Sequence, residues 1–191
     1  MNAVVLLSDI VGGGYLDWER TSEILDEIGD RELEGRFIEA CRKQLEFGKE
    51  VDPVGTLYDV IAQVVNEKLD VDVEVYANYL DTSFTCYDRD EVLERVAEKT
   101  MEDEEVLEDP TIRFFLGQVG IDTDRARSAV VEVELLKEQA EEFFGKDIFD
   151  EEDLTDLAVL IYKDNWDEVE ELIRDRVPDL KSVEEFLSKI G

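Results

Sequence analysis

Apolar residues recur at three- and four-residue steps along most of this chain, and most of the stripes are preceded by an aspartate and closed by glycine or proline. That spacing is the period of an α-helix. A carboxylate before the stripe accepts the amides of a first turn that have no partner of their own, and glycine supplies the left-handed turn that ends the helix. A series of capped helices is the arrangement that fits this punctuation.

The first helix opens near Asp17, carries Trp18, Ile24, Leu25 and Ile28 on one side, and stops at Gly29. Asp30 caps a second on Leu33, Phe37, Ala40, Cys41 and Leu45, ending at Gly48. Asp52-Pro53 and Asp109-Pro110 repeat one device, a capping carboxylate followed by a proline at the position that needs no donor. The first of these helices runs to about Leu69 on Leu57, Ile61 and Val64; the second is short, on Ile112, Phe115 and Leu116. Between them a helix starts at Asp88 or Asp90 and uses Val92, Val96, Met101 and Leu107 before the break at Pro110.

The longest stripe begins at Asp122 or Thr123 and runs through Ala126, Ala129, Val130, Val133, Leu136, Ala140 and Phe144 to Gly145. Asp150 opens a helix on Leu154, Leu157, Ala158 and Ile161, and Asp164 or Asn165 opens another on Val169, Leu172 and Ile173, closed by Pro178. Ser182-Val-Glu-Glu185 matches a capping box ahead of Phe186, Leu187 and Ile190.

One stretch departs from this pattern. Val71, Val73 and Val75 alternate with acids, and Ser83 to Tyr87 is a second β-prone run after Asn78 to Asp81, the sequence of a small β-hairpin. Val73, Tyr76, Leu80 and Phe84 also fit helical spacing, so periodicity leaves both readings open with the hairpin preferred. The expected fold is mainly α: about eight helices in a single domain over residues 1–191, loosely bipartite around 70–88, with a small hairpin near 71–87.

Charge narrows the function. Asp and Glu number 52 against 20 Lys and Arg, a net charge of −32 with no histidine. With 43% hydrophobic residues the chain folds instead of remaining a disordered polyelectrolyte. Its surface repels nucleic-acid phosphates and anionic lipid and attracts basic partners, so no direct nucleic-acid binding and no membrane association are expected. Cys41 and Cys86 form no CxxC pair, which argues against a disulfide framework or a thiolate zinc site and points to the cytoplasm. The apolar run 3–7 lacks a basic flank and is broken by Asp9, so it does not match a signal peptide.

Candidate chemistry is thin. Gly12-Gly13-Gly14 lacks the Lys-Ser or Lys-Thr of a phosphate loop and is read as a hinge. The acids at 102–105 and 150–153 and the pair Asp122 and Asp124 do not follow a calcium-loop pattern. They are read as solvated helix faces, with no metal and no cofactor expected. Without histidine the commonest proton shuttle is missing, so an enzyme with a divalent metal on carboxylates is the least favoured reading. Cys41 falls on an apolar stripe and is assigned to packing, and Trp18 and Trp166 stand at helix starts as candidate anchors that partial burial would equally explain.

Two readings use the acidity directly. The composition resembles that of proteins from halophilic microbes or their viruses, which implies a non-catalytic interaction or assembly protein whose partner is a basic protein or another copy of itself. The bulk character also resembles that of phage inhibitors that imitate DNA, with carboxylates in place of phosphates against a restriction, CRISPR or other nucleic-acid enzyme. On that second reading the contact residues are Glu102, Asp103, Glu104, Glu105 and Glu108, the densest acidic run.

Overall fold

A computed structural model describes residues 15–77, 81–85 and 87–191. The apolar run 3–7, Gly12 to Gly14, Asn78 to Leu80 and Cys86 lie outside the described residues. The protein is mainly α, with a two-stranded antiparallel hairpin inside the expected 71–87 stretch. Among the described residues there are nine α-helices, and no helix is long and apolar enough to cross a membrane.

The chain divides into two compact units. The first takes the described part of Met1–Arg89 together with Glu105–Gly120, and the second takes Asp90–Glu104 with Ile121–Gly191. In the first lie α1 (Tyr15–Ile28), α2 (Arg31–Glu46), α3 (Pro53–Leu69), β1 (Glu74–Ala77), β2 (Thr82–Thr85) and, after the return at Glu105, α5 (Pro110–Gln118). Apart from its first residue, α4 (Arg89–Glu102) belongs to the second unit, with α6 (Thr123–Phe144), α7 (Glu151–Tyr162), α8 (Trp166–Arg176) and α9 (Leu180–Ile190).

The first unit is built around α3, which packs against α1, α2, α5 and both strands. Its buried residues, among them Leu57, Tyr58, Ile61, Val65 and Leu69, lie on nearly every side of the helix, as an element surrounded by others requires. The hairpin pairs Val75 with Phe84 and Tyr76 with Ser83. It is fastened to α3 by Asn66, whose Oδ1 accepts the Val73 amide at 2.8 Å while its Nδ2 donates to the Val73 carbonyl at 3.0 Å. Phe84 then packs in the core against Tyr58 and edge-to-face against Phe115, with ring centroids 4.9 and 5.1 Å away. These long-range contacts select the hairpin over a helix where periodicity allowed both.

Aspartate caps do more than end helices. Asp30 accepts the Glu32 and Leu33 amides with Oδ1 and the hydroxyl of buried Thr111 with Oδ2, so one side chain starts α2 and also holds the first turn of α5. Asp109 accepts the Thr111 and Ile112 amides and pairs with Lys68 of α3. Asp109→Ala should therefore cost about 0.5–2 kcal/mol, the range for a lost N-cap, whereas Asp109→Asn should keep most of the cap's contribution. The urea midpoint of each variant distinguishes the two.

Two expected boundaries move. Leu107 is buried but sits on a separate 3-10 turn, Glu104–Glu108, because α4 ends at Glu102. Four successive carboxylates at 102–105 oppose the negative end of the helix dipole, which favours termination there. The last helix starts earlier than its capping-box pattern: Asp179 is the N-cap and accepts the Lys181 amide, while Ser182 donates its hydroxyl to Asp179 and caps nothing.

In the second unit α6 packs on α7, α7 on α8 and α8 on α9. Ala97 of α4, Ala126 and Ala129 of α6 and Ala158 of α7 are all buried, small side chains that let these helices approach closely. The Asp122 amide at the start of α6 donates to the Tyr162 hydroxyl at the end of α7, which ties the two ends together.

Candidate functional site

The acids were expected on solvated faces, and among the described residues Asp153 is the one buried carboxylate. Several of those once weighed as metal ligands act as caps. Asp122 accepts the Arg125 amide, and Asp150 and Asp153 exchange both bonds of a capping box at the start of α7. Among the described residues no group of three or more Cys, Asp or Glu side chains is arranged to hold a metal ion.

Fixing α7 in this way sets the direction of its surface acids. Asp153 turns inward, and Glu151, Glu152 and Asp156 are left facing outward, the first two in the opening turn, where the positive end of the helix dipole favours them. On α4, Glu94, Glu98 and Glu102 follow at four-residue steps, so they share one face of that helix. These two sets of acids, with Met101, Leu154, Thr155, Arg95 and Lys137 of α6, line a groove of about 640 Å³. A second depression of about 440 Å³ shares Glu94 and Asp156 and adds Glu168, Glu171 and Asp175 of α8 around Val159, Leu160 and Leu172.

Electrostatics in these grooves are one-sided. In the larger, six carboxylates meet two cations, and Arg95 already donates to Glu98 at 2.9 Å while Lys137 lies 3.9 Å from Asp147. In the smaller, the one lining cation, Arg176, is committed to Asp153 through Nε at 2.8 Å and Nη2 at 2.6 Å. Partial burial and then the neighbouring charges of Glu152, Asp153 and Asp150 push the Asp156 carboxyl above its ordinary range, with Arg176 opposing. A carboxyl raised first by burial and then by neighbouring charges sits where another negative charge is costly and a cation is welcome. Ionised carboxylates only accept hydrogen bonds, so the grooves suit ammonium or guanidinium groups, with apolar floor at Met101, Leu154, Leu160 and Leu172 for the stems that carry them.

Of the five acids named from the sequence, Glu102 lines the larger groove and lies 3.6 Å from Lys99. Asp103 and Glu104 are exposed in the same unit but do not line it, and Glu105 and Glu108 are exposed in the first unit, Glu108 lying 3.8 Å from Arg113. The groove residues the sequence analysis missed had one signal, acids at i, i+4 and i+8 on α4 and at i, i+3 and i+7 on α8. The same four-residue steps recur elsewhere, at Glu19, Glu23 and Glu27 on α1 and at Glu134, Glu138 and Glu142 on α6, so the pattern singles out no groove.

Comparison with known proteins finds no matching family model, no matching curated protein and no matching solved structure. The remaining candidates have structural roles. Cys41 is fully buried, and burial pushes its thiol up to about 12, which leaves it unreactive near neutrality. Trp18 is 3% exposed and packs toward Phe37 at 6.4 Å, whereas Trp166 is 44% exposed and donates its indole N–H to Asp164.

Proposed function

We propose that this chain is a non-catalytic interaction or assembly protein, adapted to concentrated salt as in a halophilic microbe or its virus, whose partner is a protein that offers a basic segment. One observation supports the reading most directly: carboxylates from α4, α7 and α8 line two neighbouring concavities of the second unit, together with apolar side chains. The concavity also favours this reading over DNA mimicry. A phosphate mimic presents its charges on a protruding surface that enters a partner's groove, whereas these acids surround a space that receives protruding cations.

A fluorescently labelled peptide of alternating lysine and leucine tests the reading by anisotropy in 0.15 M potassium chloride. Wild-type protein should bind it, and the triple variant Glu98→Lys, Asp156→Lys, Glu171→Lys should bind at least ten-fold more weakly. Circular dichroism checks that the variant keeps its helices. Equal affinity in the two proteins would remove the grooves from the interaction. Inhibition of a DNA-binding enzyme that survives the triple reversal would favour mimicry by another surface.

A further inference from the structure

The solvent face of α6 carries two large apolar side chains among its exposed glutamates. Val131 and Leu135 are 55% and 52% exposed and stand one turn apart. The same four-residue row continues through Gln139 to Phe143, and there it meets a groove of about 580 Å³ walled by Phe143, Phe186 and Ile190. Those walls are firm: Phe186 is buried, with the rings of Phe143 and Phe144 at 5.5 and 5.2 Å, and the Lys189 ammonium lies 4.8 Å from the Phe143 ring centre. Single exposed apolar residues are ordinary, but two of them one turn apart on a helix face that leads into an aromatic groove make a continuous apolar track of the kind onto which an amphipathic helix lays its apolar face.

We propose that the row Val131, Leu135, Gln139 and Phe143, with the adjoining Phe186 and Ile190 groove, docks one short amphipathic helix with cationic flanks from another protein. The choice of occupant follows from charge. Glu134, Glu138 and Glu142 run along one side of the row and Glu132 stands on the other, all exposed. A second copy would set like charges against like on a chain of net charge −32, while lysine or arginine flanks would find partners. Size agrees, because two half-exposed side chains and one groove are the footprint of a few helical turns, whereas a stable dimer draws about 800 Å² from each copy. The proposal rests on the interaction reading above but uses none of the residues that line the acidic grooves, so either surface can fail alone. Apolar docking also tolerates concentrated salt, where the screening length falls to about 3 Å and surface ion pairs weaken.

The test is titration calorimetry of the full chain with an 18-residue helical peptide bearing leucine at i, i+4, i+7 and i+11 and lysine on its other face. Val131→Ser with Leu135→Ser should weaken binding at least ten-fold at 1 M potassium chloride, and at 0.15 M when made in the triple groove variant, which should itself bind this peptide at 1 M as the wild type does. Both serines replace exposed side chains, and Gln139→Arg, which sets a cation against the peptide's lysines, provides a second variant with the same expected direction. A glutamate version of the peptide should bind at least ten-fold more weakly than the lysine version at 0.15 M. Unchanged affinity in the serine variant at 1 M, equal affinity for the glutamate peptide at 0.15 M, or a dimer in sedimentation that Leu135→Ser dissociates would each overturn the proposal.

Discussion

Raising potassium chloride from 0.1 to 1 M should stabilise the folded chain by on the order of 5 kcal/mol, an effect of salt on the molecule's own repulsion. Two carboxylates about 6 Å apart, the distance between side chains one helical turn away from each other, repel by roughly 0.7 kcal/mol in water. The Debye length is about 10 Å at the lower concentration and about 3 Å at the higher, so screening takes such a pair from roughly 0.4 to roughly 0.1 kcal/mol. With a surplus of 32 negative charges and a single buried carboxylate among the described residues, many such pairs lie on the surface, and an expanded chain relieves only part of their repulsion by unfolding. Urea midpoints followed by circular dichroism at the two concentrations measure the difference. A midpoint that does not move would mean that the carboxylates sit too far apart or too well paired to repel, and salt adaptation would lose its physical basis.

Pairing on the surface is too sparse to remove this repulsion. The ion pairs of Arg36, Lys99, Arg174 and Lys163 are exposed contacts of the kind that contribute little. Lysine and arginine together could neutralise fewer than half of the 52 acids even if every one were paired. Salt, or a basic partner, must supply the rest, and the two requirements pull against each other. Ionic docking of the proposed kind would weaken in the same concentrated salt that is expected to stabilise the fold. An apolar contact on α6 would not, and a protein with both surfaces could exchange one mode of binding for the other as salt changes.

How much of this was legible depended on the range of the interaction that decided it. Asp30, Asp52, Asp109, Asp122 and Asp150 cap helices by bonding amides two or three residues away, and a local bond of that kind can be read from a local pattern. The start of α9 was misplaced because Pro178, which closes α8, directly precedes the true cap Asp179, so a stop signal covered a start signal. The central position of α3 was only half visible: its stripe was found, but that tertiary neighbours cover nearly all its faces is a property of the packing. The hairpin was settled by Asn66, seven residues from Val73 and inside a different element. The acidic grooves were invisible for a related reason. Glu98, Asp156 and Glu171 come together only through the packing of α4, α7 and α8, and no count of acids along the chain separates them from the denser run at 102–105, of which only Glu102 lines a groove.

Asp153→Asn should destabilise the second unit by about 2–3 kcal/mol, the range for removing hydrogen bonds to a buried charged group. Asp153 is 3% exposed, and its two oxygens accept the Asp150 amide at 3.1 Å and two guanidinium donors of Arg176 at 2.8 and 2.6 Å. An asparagine of the same shape offers one oxygen and one NH2 group, so at least one of those donors would face another donor. Arg176 is partly exposed and can turn to water, which is why the figure rests on the bonds Asp153 loses and not on the charge attraction. The pH dependence gives an independent check. Arg176 above all, with the Asp150 amide, holds the Asp153 carboxyl below its ordinary value of 3.8. Its contribution is therefore full above pH 3.8 and is lost as pH falls from there through the lowered value. Asp156 and Asp59 act in the opposite sense: burial, then the neighbouring carboxylates, raise both above 3.8, so their ionised forms cost stability that returns as pH falls through the raised values. Wild-type stability should accordingly rise from neutral pH into mild acid and then drop below about pH 3.8, and in Asp153→Asn that drop should be smaller while the rise remains. A variant that keeps the full acid-side drop would show that other carboxylates cause it, and that the Asp153 pair with Arg176 contributes little to holding α7 against α8.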